Sequence, residues 1–296
     1  MLDFDFDRKA VPPRDAATLV LVRPAKIGFE IFFVQRHTKS AFMGGALVFP
    51  GGKVDEADRD PAWIRETTPP RPTPFANDEA GARAFAVAAC REALEEATIL
   101  PLSGKRLTHE QLVLLRKRVA EKETSLLAHL HEHGLTMDLG ALRPLARWVT
   151  PVQEGRRFDA RFFLALAPEG QPGVHDDHET TASFWASPKS ALERFGQGKV
   201  QLAPPTHRTV EVLSSAETIA DCVRIAEEAC KEPICPELVR HVEQGQETLA
   251  LVLPGDPEHP VRERRVPGAS RFVLRGERWI PGSPPLSAPG GTPEPR

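Results

Sequence analysis

The sequence lacks several features that would place it in a specialised class of protein. Its 38 Lys and Arg residues do not outnumber its 41 Asp and Glu residues, and the net charge is −3. A basic face for binding nucleic acid is therefore not expected. No stretch approaches the roughly 18 apolar residues of a membrane-spanning helix. The acidic start MLDFDFDRKA also lacks the apolar segment of a signal peptide. These absences predict a protein with neither a nucleic-acid partner nor a membrane partner.

Cysteine is scarce as well, with four residues in a chain of 296, which is too few for a disulfide framework. Cys230 and Cys235 lack the spacing and the second nearby pair that a zinc site requires. We therefore expect reduced thiols and, by default, a cytoplasmic location. The final Glu-Pro-Arg differs from the Ser-Lys-Leu peroxisomal signal, in agreement with that expectation.

What the sequence does contain is a globular composition with an unusual share of proline. Apolar residues make up 41% and charged residues 27% of the chain, as in ordinary folded domains. The 29 prolines are about twice the average usage. They cluster in residues 61–74 and in the last 45 residues. This pattern predicts one long irregular loop at 59–77 and a poorly ordered tail.

Strand-like and helical segments are interspersed along the rest of the chain. Short β-rich runs predict strands at 16–24, 29–37, 46–49, 146–152, 158–168, 180–188, 248–256 and 270–279. Helical patterns predict helices from a cap at Asn77 or Asp78 to Ala97, at 108–134, at 187–198, and from 206 to about 246 with a break at 233–236. The fold class is therefore α/β.

The segment REALEEATIL (91–100) concentrates negative charge on one helix face. Glu92, Glu95 and Glu96 fall at positions i, i+3 and i+4, where like charges repel one another. A hard divalent cation removes that repulsion, and carboxylate oxygens are ligands that suit Mg²⁺ or Mn²⁺. Arg91 can hold one of the carboxylates in a bidentate pair. For this segment considered without any other motif, the alternative to a metal site is a solvent-exposed acidic face of the helix.

Together with FPGGKVDEAD (49–58), this segment resembles the signature of the Nudix hydrolase superfamily, G-x5-E-x7-R-E-U-x-E-E-x-G-U, in which U is apolar. Gly52 and Asp58 match the first part, and the residues from Arg91 to Glu96 match the central R-E-U-x-E-E. The sequence departs from the signature at three points. Asp58 replaces Glu, and Thr98 replaces Gly, which is tolerable if its φ is negative. The spacer 59–90 has 32 residues where the signature has seven, a modest entropic cost because loop closure depends only logarithmically on length.

The resemblance implies a Nudix-type α/β/α sandwich with a mixed β-sheet, extra helices and a C-terminal extension. It places the Nudix domain at 14–205, with an insertion at about 59–77 inside the signature and a helical insert at about 105–135. Residues 206–280 then form a helical and β extension, and 281–296 a disordered tail.

A subgroup resemblance suggests the substrate. The coenzyme A diphosphatases of this superfamily carry an upstream motif that Arg36, Gly45 and Phe49-Pro50-Gly51-Gly52 match in part, although His37 and Ala41 depart from it. The long insertion and the later RWVTPVQEGRRFDARFFLAL most resemble the acyl-coenzyme A diphosphatase branch. The implied reaction is attack of water on a pyrophosphate linkage, giving 3′,5′-ADP and a 4′-phosphopantetheine product.

The resemblance also implies roles for individual residues. Catalysis is assigned to Arg91, Glu92, Glu95 and Glu96. The Mg²⁺ or Mn²⁺ ligands are Glu92, Glu96 and Glu95, with Asp58 as an outer carboxylate. The small nucleoside-diphosphate substrate would contact Arg36, Gly51, Gly52, Arg157 and Arg161, and Arg156 adjoins this last pair.

Several alternatives stay open at this point. The general base could be a helix carboxylate, Glu154 or Glu179, and HDDHE (175–179) is either a metal site or a polar turn. The substrate could be ADP-ribose, NADH or a nucleotide sugar. The fold could also bind a nucleotide without cleaving it, although retention of all three glutamates favours an enzyme. The sequence does not determine the oligomeric state.

Overall fold

The computed structural model describes residues 6, 8–36, 45–174, 180–243 and 245–284. The strands in these residues are β1 (Arg14–Pro24), β2 (Phe29–Arg36), β3 (Ala46–Val48), β4 (Gly51–Lys53), β5 (Leu102–Ser103), β6 (Thr136–Met137), β7 (Arg143–Val149), β8 (Phe158–Leu166), β9 (Thr180–Ala186), β10 (Gln201–Leu202), β11 (Pro233–Ile234), β12 (Glu237–Glu243), β13 (Gln246–Val252), β14 (Arg271–Arg275) and β15 (Arg278–Gly282). The helices are α1 (Trp63–Glu66), α2 (Glu79–Ala97), α3 (His109–Ala120), α4 (Leu126–His133), α5 (Pro188–Gly196), α6 (Pro204–Leu213) and α7 (Ile219–Glu228), and 3₁₀ turns lie at Glu56–Arg59 and Leu139–Ala141.

A mixed sheet forms the centre of the protein. Its strand order is β10-β3-β2-β1-β8-β7-β11, with β4 also pairing with β1 and β9 with β2. β1 runs parallel to β8 and antiparallel to β2 and β4. The central strands are rich in Val, Leu, Ile and Phe because both faces of the sheet are covered.

Alternate residues of β1 enter two different cores. Ala17, Leu19 and Leu21 pack in the core that includes the buried face of α2 and residues of α3 and α4. Val20 and Val22 point the opposite way, into the core built with α5, α6 and α7. A two-residue side-chain period explains this division. The predicted α/β/α sandwich with a mixed sheet is therefore confirmed.

The helical prediction for residues 206–246 is correct only in its first part. α6 and α7 are present, but residues 237–243 form β12, which pairs along its whole length with β13. The turn between them contains Gly245 at φ +79°. Glycine adopts a positive φ without strain, so Gly245 suits the tight turn of this hairpin.

The C-terminal strands form a second sheet that packs on the first. Its order is β12-β13-β14-β15, all antiparallel. Leu251, Phe272 and Trp279 belong to the same core as Val20 of the central sheet. The boundary at 205 stays a prediction, and residues on both sides of it share this core. Pro281 and Gly282, placed in the tail by sequence, belong to β15, and residues from 285 onward lie outside the described part.

The proline-rich segment 59–77 is largely irregular, as predicted, apart from the single turn of α1. Two of its aromatic side chains, Trp63 and Phe75, are buried in the core beneath α2. The N–H of Thr68 donates to the carbonyl of Met137 at 2.9 Å. These contacts anchor the insertion to the body of the domain.

Two expectations about the whole chain can be compared with the structure. All four cysteines are free, as predicted. Among the residues that the structure describes, none of the helices has the length and apolarity needed to cross a membrane.

Candidate active site

The last turns of α2 present the acidic residues that the sequence singles out. The helix starts where the Asp78 carboxylate accepts a hydrogen bond from the N–H of Gly81 at 2.7 Å. Alanine dominates its buried face, which favours the helix and allows it to lie close to the sheet. Glu92 and Glu96 are separated by one helical turn with Glu95 beside them, so the three carboxylates share one side.

Gly51 and Gly52 bring the backbone of β4 against these carboxylates. The N–H of Gly51 donates to Oε2 of Glu96 at 3.0 Å. A Cβ atom on Gly52 would lie only 2.4 Å from Oε1 of Glu92, and one on Gly51 would lie 2.7 Å from the carbonyl oxygen of Ala17. The backbone of β4 therefore lies directly against the carboxylates: a Cβ at Gly51 would clash with backbone atoms, and one at Gly52 would displace the end of the Glu92 side chain.

Arg91 is the central cation of the cluster. Its Nε and Nη2 atoms donate to Asp58 at 2.9 and 3.0 Å. Its Nη1 atom donates to Glu92 at 2.8 Å and to Glu95 at 3.1 Å, while Nη2 also reaches the Lys53 carbonyl at 3.0 Å. The planar guanidinium thus joins the loop after β4 to the carboxylates of α2.

Asp58 lies beneath Arg91 with its side chain only 1% exposed. Besides the two bonds from Arg91, its Oδ2 atom accepts the N–H of Asp55 at 2.8 Å and so stabilises the 3₁₀ turn. Both carboxylate oxygens therefore face protein donors. These contacts favour a role in holding Arg91, and the role of Asp58 as an outer metal ligand stays a prediction.

The carboxylates of this cluster are partly buried and lie close together, and both features disfavour their negative charge. Burial raises the pKa of Glu92 to about 7, and the charges of Glu95 and Asp58 act in the same direction against the opposing effect of Arg91. Burial also raises the pKa of Glu95, with Asp58 and Asp55 again adding to the effect of burial. Arg91 alone therefore does not neutralise the negative charge of Asp55, Asp58, Glu92 and Glu95.

The chemistry of this donor set fits a hard divalent cation, because it consists of carboxylate oxygens with uncompensated negative charge. Within the described ranges, no three His, Cys, Asp or Glu side chains already converge as a metal cage. Arg91 occupies the space between Glu92, Glu95 and Asp58 instead. The fit of this cluster to a divalent cation therefore rests on the type of its ligand atoms and on its negative charge.

Thr98 ends α2 in the left-handed conformation, with φ 54° and ψ 38°. The condition under which a threonine would be tolerable here, a negative φ, is therefore not met. The signature glycine has no Cβ penalty in that region, whereas threonine does. Contacts of the Thr98 side chain must therefore stabilise this conformation.

The arginines proposed for substrate binding are engaged with the protein. Arg157 donates to the carbonyls of Thr150 at 3.0 Å and Val11 at 2.6 Å. Arg161 is buried, donates to Asp15 at 2.9 Å and lies 4.0 Å from the ring centroid of Phe85. Their contact with substrate stays a prediction.

Three further candidate site residues, Arg36, Glu154 and Glu179, are described by the structure to different extents. The backbone of Arg36 pairs with Thr180 in the sheet, but the side chain of Arg36 lies outside the described part. Glu154 is buried, and its N–H donates to the carbonyl of Pro151 at 3.2 Å. Glu179 and the rest of HDDHE fall outside the described residues, so the general base and the role of HDDHE stay open.

Sequence reasoning missed two contributors to the cluster. The Lys53 carbonyl leaves no trace in a side-chain pattern. Asp55 did leave a signal, because Asp55-Glu56-Ala57-Asp58 has the spacing of a helix cap and its N3 carboxylate. That pattern could have indicated that Asp58 faces inward and stabilises the turn.

Comparison with known proteins gives an independent view of the chain. Residues 70–213 match the family model described as the NUDT19 Nudix domain. An acyl-coenzyme A diphosphatase NUDT19 from Gallus gallus is 30% identical over an alignment 302 positions long, which covers 83% of this chain and 80% of that protein. The Homo sapiens protein of the same name is 32% identical over 239 residues, covering 67% and 64% of the two chains.

A solved structure agrees with the fold. The crystal structure of a Nudix hydrolase from Alicyclobacillus acidocaldarius superimposes with a TM-score of 0.61 at 29% sequence identity. The alignment covers 72% of this chain and 96% of that one.

Proposed function

Because the chain belongs to the Nudix hydrolase family and, within it, to the acyl-coenzyme A diphosphatase branch, we propose that it cleaves the pyrophosphate linkage of coenzyme A or an acyl-coenzyme A. Water attacks one phosphorus atom and the bridging P–O bond breaks. The products are 3′,5′-ADP and a 4′-phosphopantetheine or its acyl derivative. The relatives named above supply the substrate class.

The observation that carries this proposal is the assembly of a complete carboxylate cluster. Glu92, Glu95 and Glu96 are all retained, and Arg91 contacts the first two. The Gly51 N–H holds the third. A fold that only bound its ligand would have no need to keep three crowded acids, since their mutual repulsion opposes folding.

We assign the ligands of a divalent cation to Glu92, Glu95 and Glu96, and the ion itself to Mg²⁺ or Mn²⁺. When bound, the cation neutralises the charge of the phosphates and acidifies water. Arg91 orients Glu92 and Glu95, and Asp58 in turn orients Arg91. Fixing these groups before the substrate arrives avoids reorganisation during the reaction.

Gly51 and Gly52 carry no side chains and therefore leave the backbone of β4 accessible beside the carboxylates. The backbone of Gly52 approaches Glu92 so closely that no side chain separates the strand from the carboxylate. A phosphate can approach that backbone for the same reason. Arg36, Arg157 and Arg161 remain the proposed contacts to the anionic substrate, because arginine suits bidentate contact with phosphate.

A substrate panel tests the proposal directly. Coenzyme A, acyl-coenzyme A, NADH, ADP-ribose and a diadenosine polyphosphate are compared at fixed Mg²⁺ and at fixed Mn²⁺. The measurement is the amount of each phosphorylated product separated by chromatography, such as 3′,5′-ADP from coenzyme A and AMP from NADH or ADP-ribose. We expect the highest kcat/KM for the coenzyme A compounds. A preference for ADP-ribose or NADH would contradict the assigned substrate while leaving the chemistry in place.

The metal assignment is tested with Glu96→Gln. The amide oxygen of glutamine still accepts the Gly51 N–H, so the variant should fold. Its kcat should fall by more than the roughly 10- to 100-fold that loss of a metal site's outer partner costs. Glu121→Gln, on the exposed end of α3, serves as the control and should retain full activity. A wild-type rate in Glu96→Gln would overturn the assignment.

A further inference from the structure

The end of α2 is held in a conformation that its own residue disfavours. Thr98 is fully buried and left-handed, with φ 54°. Its N–H donates to the carbonyl of Leu94 at 3.0 Å, and the N–H of Ile99 donates to that of Ala93 at 3.2 Å. The left-handed turn thereby closes the last turn of the helix, although a β-branched residue is strained there.

The hydroxyl of Thr98 has two partners that compensate for this strain. Its Oγ1 atom donates to the carbonyl of Val174 at 2.9 Å. The same oxygen accepts a hydrogen bond from Nη1 of Arg116 in α3 at 2.6 Å. Nη1 also lies 3.2 Å from the Val174 carbonyl, to which it donates. We call these three residues, Thr98, Arg116 and Val174, the Thr98 latch.

The segment that carries Val174 is itself anchored. The N–H of Val174 donates to the carbonyl of Ala97 at 2.8 Å. The side-chain amide of Gln171 accepts from the N–H of Leu100 at 2.9 Å and donates to its carbonyl at 3.1 Å. At Gly173, with φ +78°, a Cβ would lie 2.5 Å from Phe32. The latch therefore attaches α2 to a well-packed connection rather than to a loose loop.

We propose that Arg116 is a positioning residue for the hydrolytic site. Through the Thr98 latch it holds the end of α2 and sets the direction of Glu95 and Glu96, which lie three and two residues before Thr98. The helical insert that carries α3 thus has a defined task in this chain. The catalytic part of this proposal rests on the proposed function.

The first test is a double-mutant cycle on kcat. Arg116→Ala should lower kcat on the order of tenfold with little change in KM, because a displacement of about 1 Å can cost roughly 100-fold. Thr98→Gly should remain near the wild-type rate, since glycine adopts the left-handed turn without support. In the Thr98→Gly background, Arg116→Ala should no longer lower kcat. Arg118→Ala on the same helix, where Arg118 forms an ion pair with surface Glu123, is the matched control.

The second test requires no substrate. Mn²⁺ affinity, from titration of free Mn²⁺, should fall in Arg116→Ala and recover when Thr98→Gly is added. The thermal unfolding midpoint should show the same coupling. If the wild type hydrolyses no compound of the panel, the proposed function fails. Mn²⁺ affinity and the unfolding midpoint still show whether Arg116 positions the end of α2 through the Thr98 latch. The latch is overturned if Arg116→Ala lowers only the unfolding midpoint, or if it lowers kcat and Mn²⁺ affinity equally in both backgrounds.

Discussion

At the scale of single residues, the two adjacent glycines of β4 have different physical constraints. A Cβ on Gly51 would meet backbone atoms, Ala17 O at 2.7 Å and Thr18 Cα at 2.8 Å. The three heavy atoms nearest to a Cβ on Gly52 all belong to the carboxylate end of Glu92. Backbone cannot move aside cheaply, whereas the end of a flexible side chain can. The absence of a side chain at Gly51 is therefore required by the fold, and at Gly52 it is required by the observed position of the Glu92 carboxylate.

We predict that Gly52→Ala folds but loses kcat by about 10- to 100-fold, because Glu92 must leave its position and small displacements are costly at a reacting centre. Steady-state kinetics and circular dichroism are the measurements. Gly196→Ala is the control, because its Cβ would meet nothing within 4 Å. Full activity in Gly52→Ala would show that the observed position of Glu92 is not required for turnover.

At the scale of elements, the 3₁₀ turn Glu56–Arg59 and helix α2 act as one unit. Asp58 on the turn and Arg91 on the helix are 33 residues apart and joined by two hydrogen bonds. The intervening insertion contributes buried Trp63 and Phe75. Because loop-closure entropy changes slowly with length, a long insertion need not weaken this contact.

Asp58→Asn should reduce the free energy of unfolding by about 1 to 3 kcal/mol, since an amide facing a guanidinium leaves polar groups poorly paired. It should also lower kcat, because Arg91 then no longer fixes Glu92 and Glu95. Denaturant unfolding and kinetics measure the two effects. Glu56→Gln on the same turn, where the side chain is exposed, should change neither.

An Mn²⁺ titration of Asp58→Asn separates positioning from ligation. If Asp58 positions Arg91, saturating Mn²⁺ should not restore kcat. Recovery of the wild-type rate at high Mn²⁺ would instead identify Asp58 as a ligand, as the sequence first suggested.

At the scale of the whole molecule, the C-terminal sheet packs on the central domain through aromatic contacts. His207 on α6 lies between Phe195 of α5 and Phe272 of β14, with ring centroids 4.8 and 5.6 Å away. Burial lowers the pKa of His207 to about 4, and the neighbouring charge of Arg208 acts in the same direction. Glu211, 4.0 Å from Nδ1, faces the ring as well.

This depressed pKa predicts a loss of stability in acid. The unfolded chain takes up a proton at His207 near pH 6.5, whereas the folded protein resists until about pH 4. Stability is therefore lost as the pH falls through this window, by about 3 kcal/mol at most from this group. His207→Leu should show a smaller loss of unfolding free energy between pH 7 and 4 than the wild type, measured by denaturant unfolding. Equal acid sensitivity in wild type and His207→Leu would contradict the prediction.

Local sequence patterns predicted much of the fold and of the candidate site. The alanine-rich run ending at Ala97 predicted α2 and the shared face of its three glutamates, because helical period and propensity act over a few residues. Sequence patterns were less informative for segments whose secondary structure depends on a neighbouring strand. Residues 237–243 form a strand because β13 pairs with them, and the sequence of one segment does not reveal which strand will pair with it.

The sequence by itself determined the parts of the site: the acidic stripe and its arginine follow from helical spacing, and the glycine pair follows from the resemblance to the Nudix signature. Only the tertiary structure decided how they meet. It turned Asp58 inward onto Arg91, placed the Gly51 N–H on Glu96 from 45 residues away, and gave Thr98 a left-handed conformation. The reason is that such contacts depend on the packing of distant segments, whose many small energies together outweigh the local preference of one residue.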